Sequence, residues 1–238
     1  MPLEISDGLI ITPKRPRAAR RATRATATRD ITPAPQFTNP LGVQRIRQGN
    51  RRKWCWAACG TMLGRFLDSA TPRRMCHLVG FVRETLHGKP VGLDCCVAQV
   101  DNISECVETT CESVEEIDTL FKNFLNLDAQ RTGRIAPDAL KQEINEGRPV
   151  QVGFEWDGST ADDVRGHVIL VEGWVSVPQP GGVAEDFFII LDPFQDYGPG
   201  EGPPVDSRVS YDSLRVAYNN DGQWLHTWTG LRRKDGGI

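Results

Sequence analysis

The sequence predicts an α+β fold, with a mainly helical region followed by a mainly antiparallel β-sheet region. Apolar residues recur at helical spacing from Trp54 to Leu67 and from Val114 to Leu127. After Val150 the pattern changes to alternating and β-branched apolar runs. Helices that precede strands along a chain indicate two segregated regions around a shared core. The 238 residues suffice for one medium domain with a tail, or for two small lobes that share a cleft.

Three helices are predicted. The first begins near Trp54, and its apolar residues follow helical spacing as far as Leu67. A second helix spans Val114 to Leu127, where Ser113 and Glu116 have the spacing of a capping box. A shorter helix spans Pro137 to Asn145, because proline is favoured in the first turn of a helix.

Four strands are predicted in the second half of the chain. Val150 to Trp156 alternates as a half-buried strand does. His167 to Val175 and Phe187 to Leu191 are apolar runs rich in strand-forming residues, and Trp224 to Thr229 is a weaker, aromatic one. Glycine and proline dominate between Tyr197 and Ser207, which indicates a surface loop.

The N-terminal 35 residues differ in composition from the rest of the chain. They hold seven basic and three acidic residues, whereas the whole chain has a formal charge of -3, so the remainder carries about -7. With little apolar surface to bury, residues 1–35 are expected to form a disordered basic leader ahead of a folded domain at 36–238. A mildly acidic folded domain argues against a nucleic-acid partner.

No stretch approaches 18 consecutive apolar residues, so we expect no membrane-spanning segment. The N-terminus also lacks the apolar core and small-residue cleavage site of a Sec-type signal peptide. These features predict a protein that is either cytoplasmic or secreted by a specialised route, without a membrane partner. We further expect it to act as a monomer.

Cys55 is a candidate nucleophile. Free cysteine has a pKa near 8.5, so only about 3% is thiolate at pH 7. A helix N-terminus and nearby positive charge lower that pKa, and Cys55 stands at a predicted helix start, with Arg51, Arg52 and Lys53 just upstream. Position alone is equally compatible with a nucleophile and with a buried core cysteine.

Three motifs in order along the chain carry a family resemblance. They are Trp54 to Ala58 with Gln48 shortly before it, Gly166 to Trp174, and Ile190 to Pro193. These segments resemble the cysteine, histidine and acidic segments of papain-like cysteine proteases. The resemblance is to a compact bacterial branch that includes effector proteases of plant pathogens and bacteriocin-leader-peptidase-like domains. It extends from about Gln48 to Thr229.

The resemblance implies a papain-like fold of two lobes, a helical one carrying Cys55 and a sheet lobe carrying His167 and Asp192. In such an enzyme Cys55 attacks the peptide carbonyl, His167 is the base and Asp192 orients the imidazole. Gln48 would donate to the oxyanion, although it lies seven positions before Cys55 where the family usually has six. The implied function is a cysteine endopeptidase that cleaves protein or peptide substrates without a cofactor or metal.

The local pattern around the other two residues agrees with these roles. His167 opens a strand directly after Gly166, at an element edge where a side chain can face a cleft and take up a base role. Asp192 closes an apolar strand before Pro193, where a carboxylate could fix the imidazole, but Asp-Pro is also a common turn. The remaining histidines are expected at the surface or in packing: His77, His87 and His226.

Other functions remain open to the same residues. A triad of this kind can also deamidate or transglutaminate a protein glutamine, since both reactions pass through an acyl-enzyme. A domain that binds a peptide without cleaving it is a further alternative. The presence of both Cys55 and His167 favours catalysis over this last interpretation.

The cysteines are concentrated in one 57-residue stretch, at Cys55, Cys59, Cys76, Cys95, Cys96, Cys106 and Cys111. We interpret residues 70–112 as loops and short helical turns. They resemble a cysteine-bearing insertion of bacterial members of this branch, and the resemblance favours disulfides there, with pairing undefined. Zinc is the alternative, but only Cys106 and Cys111 have near-chelating spacing. Cys59, one helical turn after Cys55, is expected to pack in the core.

Overall fold

The computed structural model accounts for most of the chain after the leader. The predicted leader at 1–35 and the loop at 197–207 lie outside the residues that it describes. Most of the cysteine-rich stretch from 90 to 112 lies outside them too. The described residues are 36–37, 40–49, 53–69, 74–89, 94–97, 106, 109, 111, 113–156, 166–180, 182–194, 208–216, 218 and 222–235.

A seven-stranded antiparallel sheet dominates the second half of the chain. Its strands are β1 (Gln36–Phe37), β2 (Leu127–Thr132), β3 (Val150–Trp156), β4 (Gly166–Pro178), β5 (Ala184–Leu191), β6 (Arg208–Ser210) and β7 (Gly222–Arg233). Six of them lie in the order β2-β7-β3-β4-β5-β6, and β1 pairs with the far end of β4. The four predicted strands are confirmed as β3, β4, β5 and β7, three of them longer than predicted.

The helices flank this sheet. They are α1 (Cys55–Leu67), α2 (Met75–Phe81, continuing as a π-helical turn, Val82–Leu86), α3 (Val114–Thr119, continuing as a π-helical turn, Leu120–Phe124), α4 (Pro137–Asn145) and α5 (Tyr211–Val216). The capping box at Ser113 and Glu116 is present, with bonds of 3.3 and 3.2 Å between side chains and backbone amides. Helices packed beside an antiparallel sheet confirm the α+β class.

Two predictions about the helical half of the chain are wrong. The helix predicted to run to Leu127 ends at Phe124, because Asn126 adopts a positive φ of 54° and Leu127 already pairs with Arg233 in the sheet. The region read as loops and short turns contains α2, a complete helix. Leu78, Val79 and Val82 repeat at helical spacing and are fully buried there.

Two apolar clusters cover the two faces of the sheet. Alternation along β4 separates them: Val168 and Leu170 face the helical lobe, whereas Ile169 and Val171 face α4 and α5. In the helical lobe, a side chain on Gly60 would come within 2.6 Å of Leu78, so this glycine permits the close approach of α1 and α2. Burial of each Leu or Val contributes about 1.5–3 kcal/mol. Packing of α1 on the sheet brings its first residue to the start of β4.

Candidate active site

Cys55 is the first residue of α1 and is 8% exposed. Trp54 precedes it as the N-terminal capping residue, and its side chain makes no capping hydrogen bond to the helix. No acidic residue lies in the first turn. The positive end of the helix dipole therefore acts on the Cys55 sulfur without an opposing carboxylate in that turn, which favours the thiolate.

His167, the second residue of β4, lies between the thiol and a carboxylate. Its Nε2 atom is 2.9 Å from Oδ1 of Asp192, and its side chain is 10% exposed. The His167 ring also lies close enough to the Cys55 side chain to lower the pKa of its thiol. Because Nε2 faces Asp192, the nitrogen available to Cys55 is Nδ1. The structure thus brings the side chains of Cys55, His167 and Asp192 together.

Asp192 follows β5 and is fully buried. Besides facing His167, its Oδ1 accepts from the backbone amide of Phe194 at 2.8 Å, and its Oδ2 accepts from the Tyr218 hydroxyl at 2.5 Å. The bond to Phe194 is the i to i+2 contact of an Asx turn. The turn interpretation and the orienting interpretation are therefore compatible, since one carboxylate does both.

The electrostatics of these three groups favour a thiolate–imidazolium pair. Burial alone would raise the pKa of Cys55, but the hydrogen bond and charge of His167 outweigh it and leave the pKa below the ordinary value. Burial likewise opposes charge on His167, yet its bonds to Asp192 and Cys55 raise its pKa to about 10. The pKa of Asp192 is lowered despite its burial, chiefly by His167.

Gln48 belongs to an arm, residues 40–49, that is fastened to the sheet lobe. The backbone amides of Leu41 and Val43 donate to the main-chain and side-chain oxygens of Glu172, each at 3.0 Å. At the other end the backbone amide of Gln48 donates to the main-chain oxygen of Pro193 at 3.0 Å. Gln48 is 1% exposed, so the arm holds it beside the segment that carries Asp192.

Four rings form a stack through the site, and no periodic pattern in the sequence indicates it. Trp156 and His167 stack with centroids 6.1 Å apart, and His167 and Tyr218 stack at 6.4 Å. Phe154 continues the series at 4.5 Å from Tyr218. Tyr218 is the functional candidate that sequence reasoning missed, because it reaches Asp192 only through the tertiary fold.

The cysteine-rich insertion contains two disulfides, as favoured: Cys76–Cys96 and Cys95–Cys106. Cys111 is not bonded to another cysteine. Within the described residues, one group of three could hold a metal ion, and it consists of Cys76, Cys96 and His77. Its two sulfurs are bonded to each other, so they are not available as zinc ligands in this state.

Two other side chains occupy the places expected of them, and a third is more specific than expected. Cys59 is fully buried and its thiol donates to the Val168 oxygen at 3.4 Å, which is a core role. His226 is partly exposed and lies beside Trp228 in β7. His87 was expected only to pack or to be exposed, but it pairs with Glu116 at 2.8 Å and links α2 to α3.

A buried thiol at a helix N-terminus with an imidazole beside it is the arrangement that activates the nucleophile of a cysteine peptidase. The chain belongs to the family described as papain-like cysteine protease AvrRpt2, whose sequence model matches residues 34–198. A crystal structure described as a C39-like peptidase from Bacillus anthracis is similar, with 11% sequence identity and a TM-score of 0.44. That match covers 84% of this chain and 100% of the other. Among curated proteins, none matches this sequence.

Membership of this family makes the protein a cysteine-type peptidase, which acts on protein or peptide substrates. Within the described part of the chain, no helix is long and apolar enough to cross a membrane.

Proposed function

We propose that this protein is an endopeptidase in which Cys55 is the nucleophile, His167 the general acid and base, and Asp192 the orienting carboxylate. The observation that carries the proposal is the position of His167, which lies beside the Cys55 thiol and faces Asp192 Oδ1 through Nε2 at 2.9 Å. Cys55 lies at a helix N-terminus, where a thiolate is favoured.

The reaction follows from the charge state of the pair. The Cys55 thiolate attacks the peptide carbonyl carbon, and a tetrahedral oxyanion forms. Protonated His167 then donates its proton to the leaving amine, so the C–N bond breaks and a thioester to Cys55 remains. Neutral His167 next takes a proton from water, which attacks the thioester and releases the carboxylic acid and the free Cys55 side chain.

The oxyanion needs hydrogen-bond donors that are in place before the reaction. The backbone amide of Cys55, at the start of α1, is one candidate because the first amides of a helix have no intrahelical acceptor. The side-chain amide of Gln48 is the second. Its support is the anchoring of the arm at both ends, by Glu172 and by Pro193.

We also propose that the folded peptidase domain spans residues 36–238, after a leader of 1–35. Two observations support the boundary. The family match begins at residue 34, and the first strand, β1, pairs Gln36 and Phe37 with Ser176 and Val175 of β4.

Active-site labelling tests the proposed nucleophile. A peptidyl epoxide should add once to the protein, and peptide mapping should place the adduct on Cys55. Cys55→Ala should lose both labelling and peptide cleavage while remaining folded. Cys111→Ala is the matched control, because Cys111 is also free of a disulfide, and it should be labelled and active like the parent. Cleavage by Cys55→Ala, or an adduct on Cys59 or Cys111, would refute the assignment.

A further inference from the structure

Tyr218 occupies a fixed position between α5 and β7. Its backbone N–H and C=O exchange hydrogen bonds with Gly222, at 3.1 and 2.9 Å, and its side chain is nearly fully buried. The hydroxyl donates to Oδ2 of Asp192 at 2.5 Å. The aromatic ring lies between Phe154 and His167, with interplanar angles of 13° and 16°. One side chain therefore contacts both the imidazole and the carboxylate.

We propose that Tyr218 is a positioning residue that holds the Asp192 carboxylate in register with His167. The inference deepens the proposed function, on which it rests, because it assigns a residue that acts through the orienting carboxylate. Because its hydroxyl acts through the Asp192 carboxylate, Tyr218 is a positioning residue and not a catalytic one.

The hydrogen bonds of Asp192 explain why it needs a donor besides His167 and the amide of Phe194. Oδ1 receives both His167 and the amide of Phe194, which leaves Oδ2 to be satisfied from elsewhere. Asp192 is fully buried, and a carboxylate oxygen buried without a donor is costly. Without the Tyr218 hydroxyl, the carboxylate would gain by rotating toward another donor. Rotation would draw Oδ1 away from Nε2 of His167.

The direction of the resulting change in pH dependence separates positioning from a simple inductive effect. If the carboxylate turns away, the imidazolium loses its acceptor and the pKa of His167 falls. If the carboxylate stays in place, loss of the hydroxyl dipole leaves the site more negative and the pKa of His167 rises. If Tyr218 has a purely structural role, its substitution moves neither the acid limb nor the alkaline limb of the pH profile of kcat/KM.

Several described groups lie next to His167 and Asp192 and are unchanged in all of the variants. Cys55 and Cys59 approach from α1, and Arg45 of the arm donates to the main-chain oxygen of Asp192 at 2.5 Å. Cys111 lies close enough for the Cys55 charge to affect its pKa. None of these side chains is altered by a change at Tyr218, so the comparison isolates the hydroxyl.

The test compares Tyr218→Phe with Tyr211→Phe in the full-length protein. Tyr211 is the matched control because its hydroxyl also makes a partly buried bond, to the Ile135 oxygen at 2.7 Å, away from the proposed triad. Phenylalanine keeps the aromatic ring in both variants, which is stacked at position 218 and in edge-on contacts at position 211. The measurements are kcat/KM and the rate of Cys55 alkylation by iodoacetamide, each from pH 4 to 11, together with Tm.

In Tyr218→Phe, the acid limb of the pH profile of kcat/KM should move up by about one unit and the alkaline limb down by about one unit. On the acid limb this shift corresponds to about a tenfold loss of kcat/KM. Tyr211→Phe should lower Tm by a similar amount and leave both limbs unchanged. Limbs that do not move in Tyr218→Phe, or an alkaline limb that moves to higher pH, would overturn the positioning role.

A double-mutant cycle completes the test. If Tyr218 acts through the carboxylate, Tyr218→Phe added to Asp192→Asn should shift the limbs no further than Asp192→Asn alone. Additive shifts would overturn the inference. Failure of the proposed function is recognised separately, because it would leave Cys55→Ala active or place the label on another cysteine.

Discussion

The indole Nε1 of Trp54 donates a hydrogen bond to the main-chain oxygen of Cys106 at 3.1 Å. Trp54 is the residue before the proposed nucleophile, and Cys106 belongs to the cysteine-rich insertion, where it is bonded to Cys95. Both Trp54 and Cys106 are fully buried. Cys106 is therefore packed against the start of α1, and the Cys95–Cys106 disulfide lies one hydrogen bond away from the residue that precedes the proposed nucleophile.

This contact predicts different consequences for the two disulfides. Replacing either pair with serine should lower the free energy of unfolding by about 2–4 kcal/mol, because the unfolded chain loses a cross-link. Cys95→Ser with Cys106→Ser should also lower kcat, because the main-chain oxygen at position 106, which accepts from Trp54, becomes mobile. Cys76→Ser with Cys96→Ser should leave kcat nearly unchanged. Denaturant unfolding and steady-state kinetics distinguish the pairs, and equal loss of kcat in both would contradict the link through Trp54.

The pH dependence of the proposed ion pair gives a second prediction. The pKa of Cys55 lies below that of an ordinary thiol, so alkylation of Cys55 should begin at lower pH than alkylation of a free cysteine. Burial raises the pKa of Cys59 and of Cys111, so these should react slowly throughout. The pKa of His167 is raised to about 10, so kcat/KM should fall as pH rises through that value. A single inflection at the pKa of an ordinary thiol would exclude the ion pair.

The role of Gln48 can be separated from general effects on the arm. Gln48→Ala should lower kcat by about 10²–10³-fold with little change in KM, as expected for loss of an oxyanion donor. Gln44→Ala is the matched control on the same arm, because the Gln44 side chain is paired with Arg65 at 3.5 Å in an exposed contact. If both variants lose the same activity, Gln48 has no special role in the oxyanion hole.

The proposed boundary at residue 36 predicts the outcome of two truncations. Removing residues 1–35 should leave kcat/KM within about twofold, because the leader offers little apolar surface to dock. Removing residues 1–45 should abolish activity, since it deletes the contacts of Leu41 and Val43 with Glu172. Peptide cleavage and Tm of both purified proteins provide the measurement. Inactivity of the shorter truncation, with the domain still folded, would place functional residues in the leader.

Periodicity explains which elements could be predicted from the sequence. In α1 and β3 the apolar spacing reflects direct burial, and α4 is bounded by a proline at its start and a glycine with positive φ after its end. By contrast, β2 reads Leu-Asp-Ala-Gln-Arg-Thr and buries only Leu127 fully, so pairing with β7 determines its conformation. Such a strand carries no apolar alternation by which sequence alone could find it.

Some residues of the candidate site could also be predicted from the sequence, and others could not. Cys55, His167 and Asp192 lie in short segments that resemble known motifs, and the structure brings these three side chains together. Tyr218 meets Asp192 across 26 positions of sequence, through side chains whose contact depends on packing of the whole sheet lobe. Disulfide pairing is hidden for the same reason, because it depends on how the insertion folds and not on spacing.

The hydrogen bonds of Asp192 predict an order of activity for its variants. Asparagine can still accept from His167 and Phe194 through its side-chain oxygen, while its amide faces the Tyr218 oxygen, which can act as an acceptor. Asp192→Asn should therefore keep kcat/KM within about tenfold of the parent, the effect of about one pKa unit on the imidazolium. Asp192→Ala leaves three buried or partly buried donors without their acceptor, and kcat/KM should fall by about 10²–10³-fold.

Asp186→Asn is the matched control for these variants, because Asp186 of β5 accepts from Lys141 at 2.7 Å away from the proposed triad. It should lower Tm without changing kcat/KM. If Asp192 served only as the turn residue before Pro193, its variants would behave as Asp186→Asn does, with lower Tm and normal activity per folded molecule. Full specific activity of Asp192→Ala, on a peptide that Cys55→Ala does not cleave, would remove Asp192 from the site and leave a Cys55–His167 dyad.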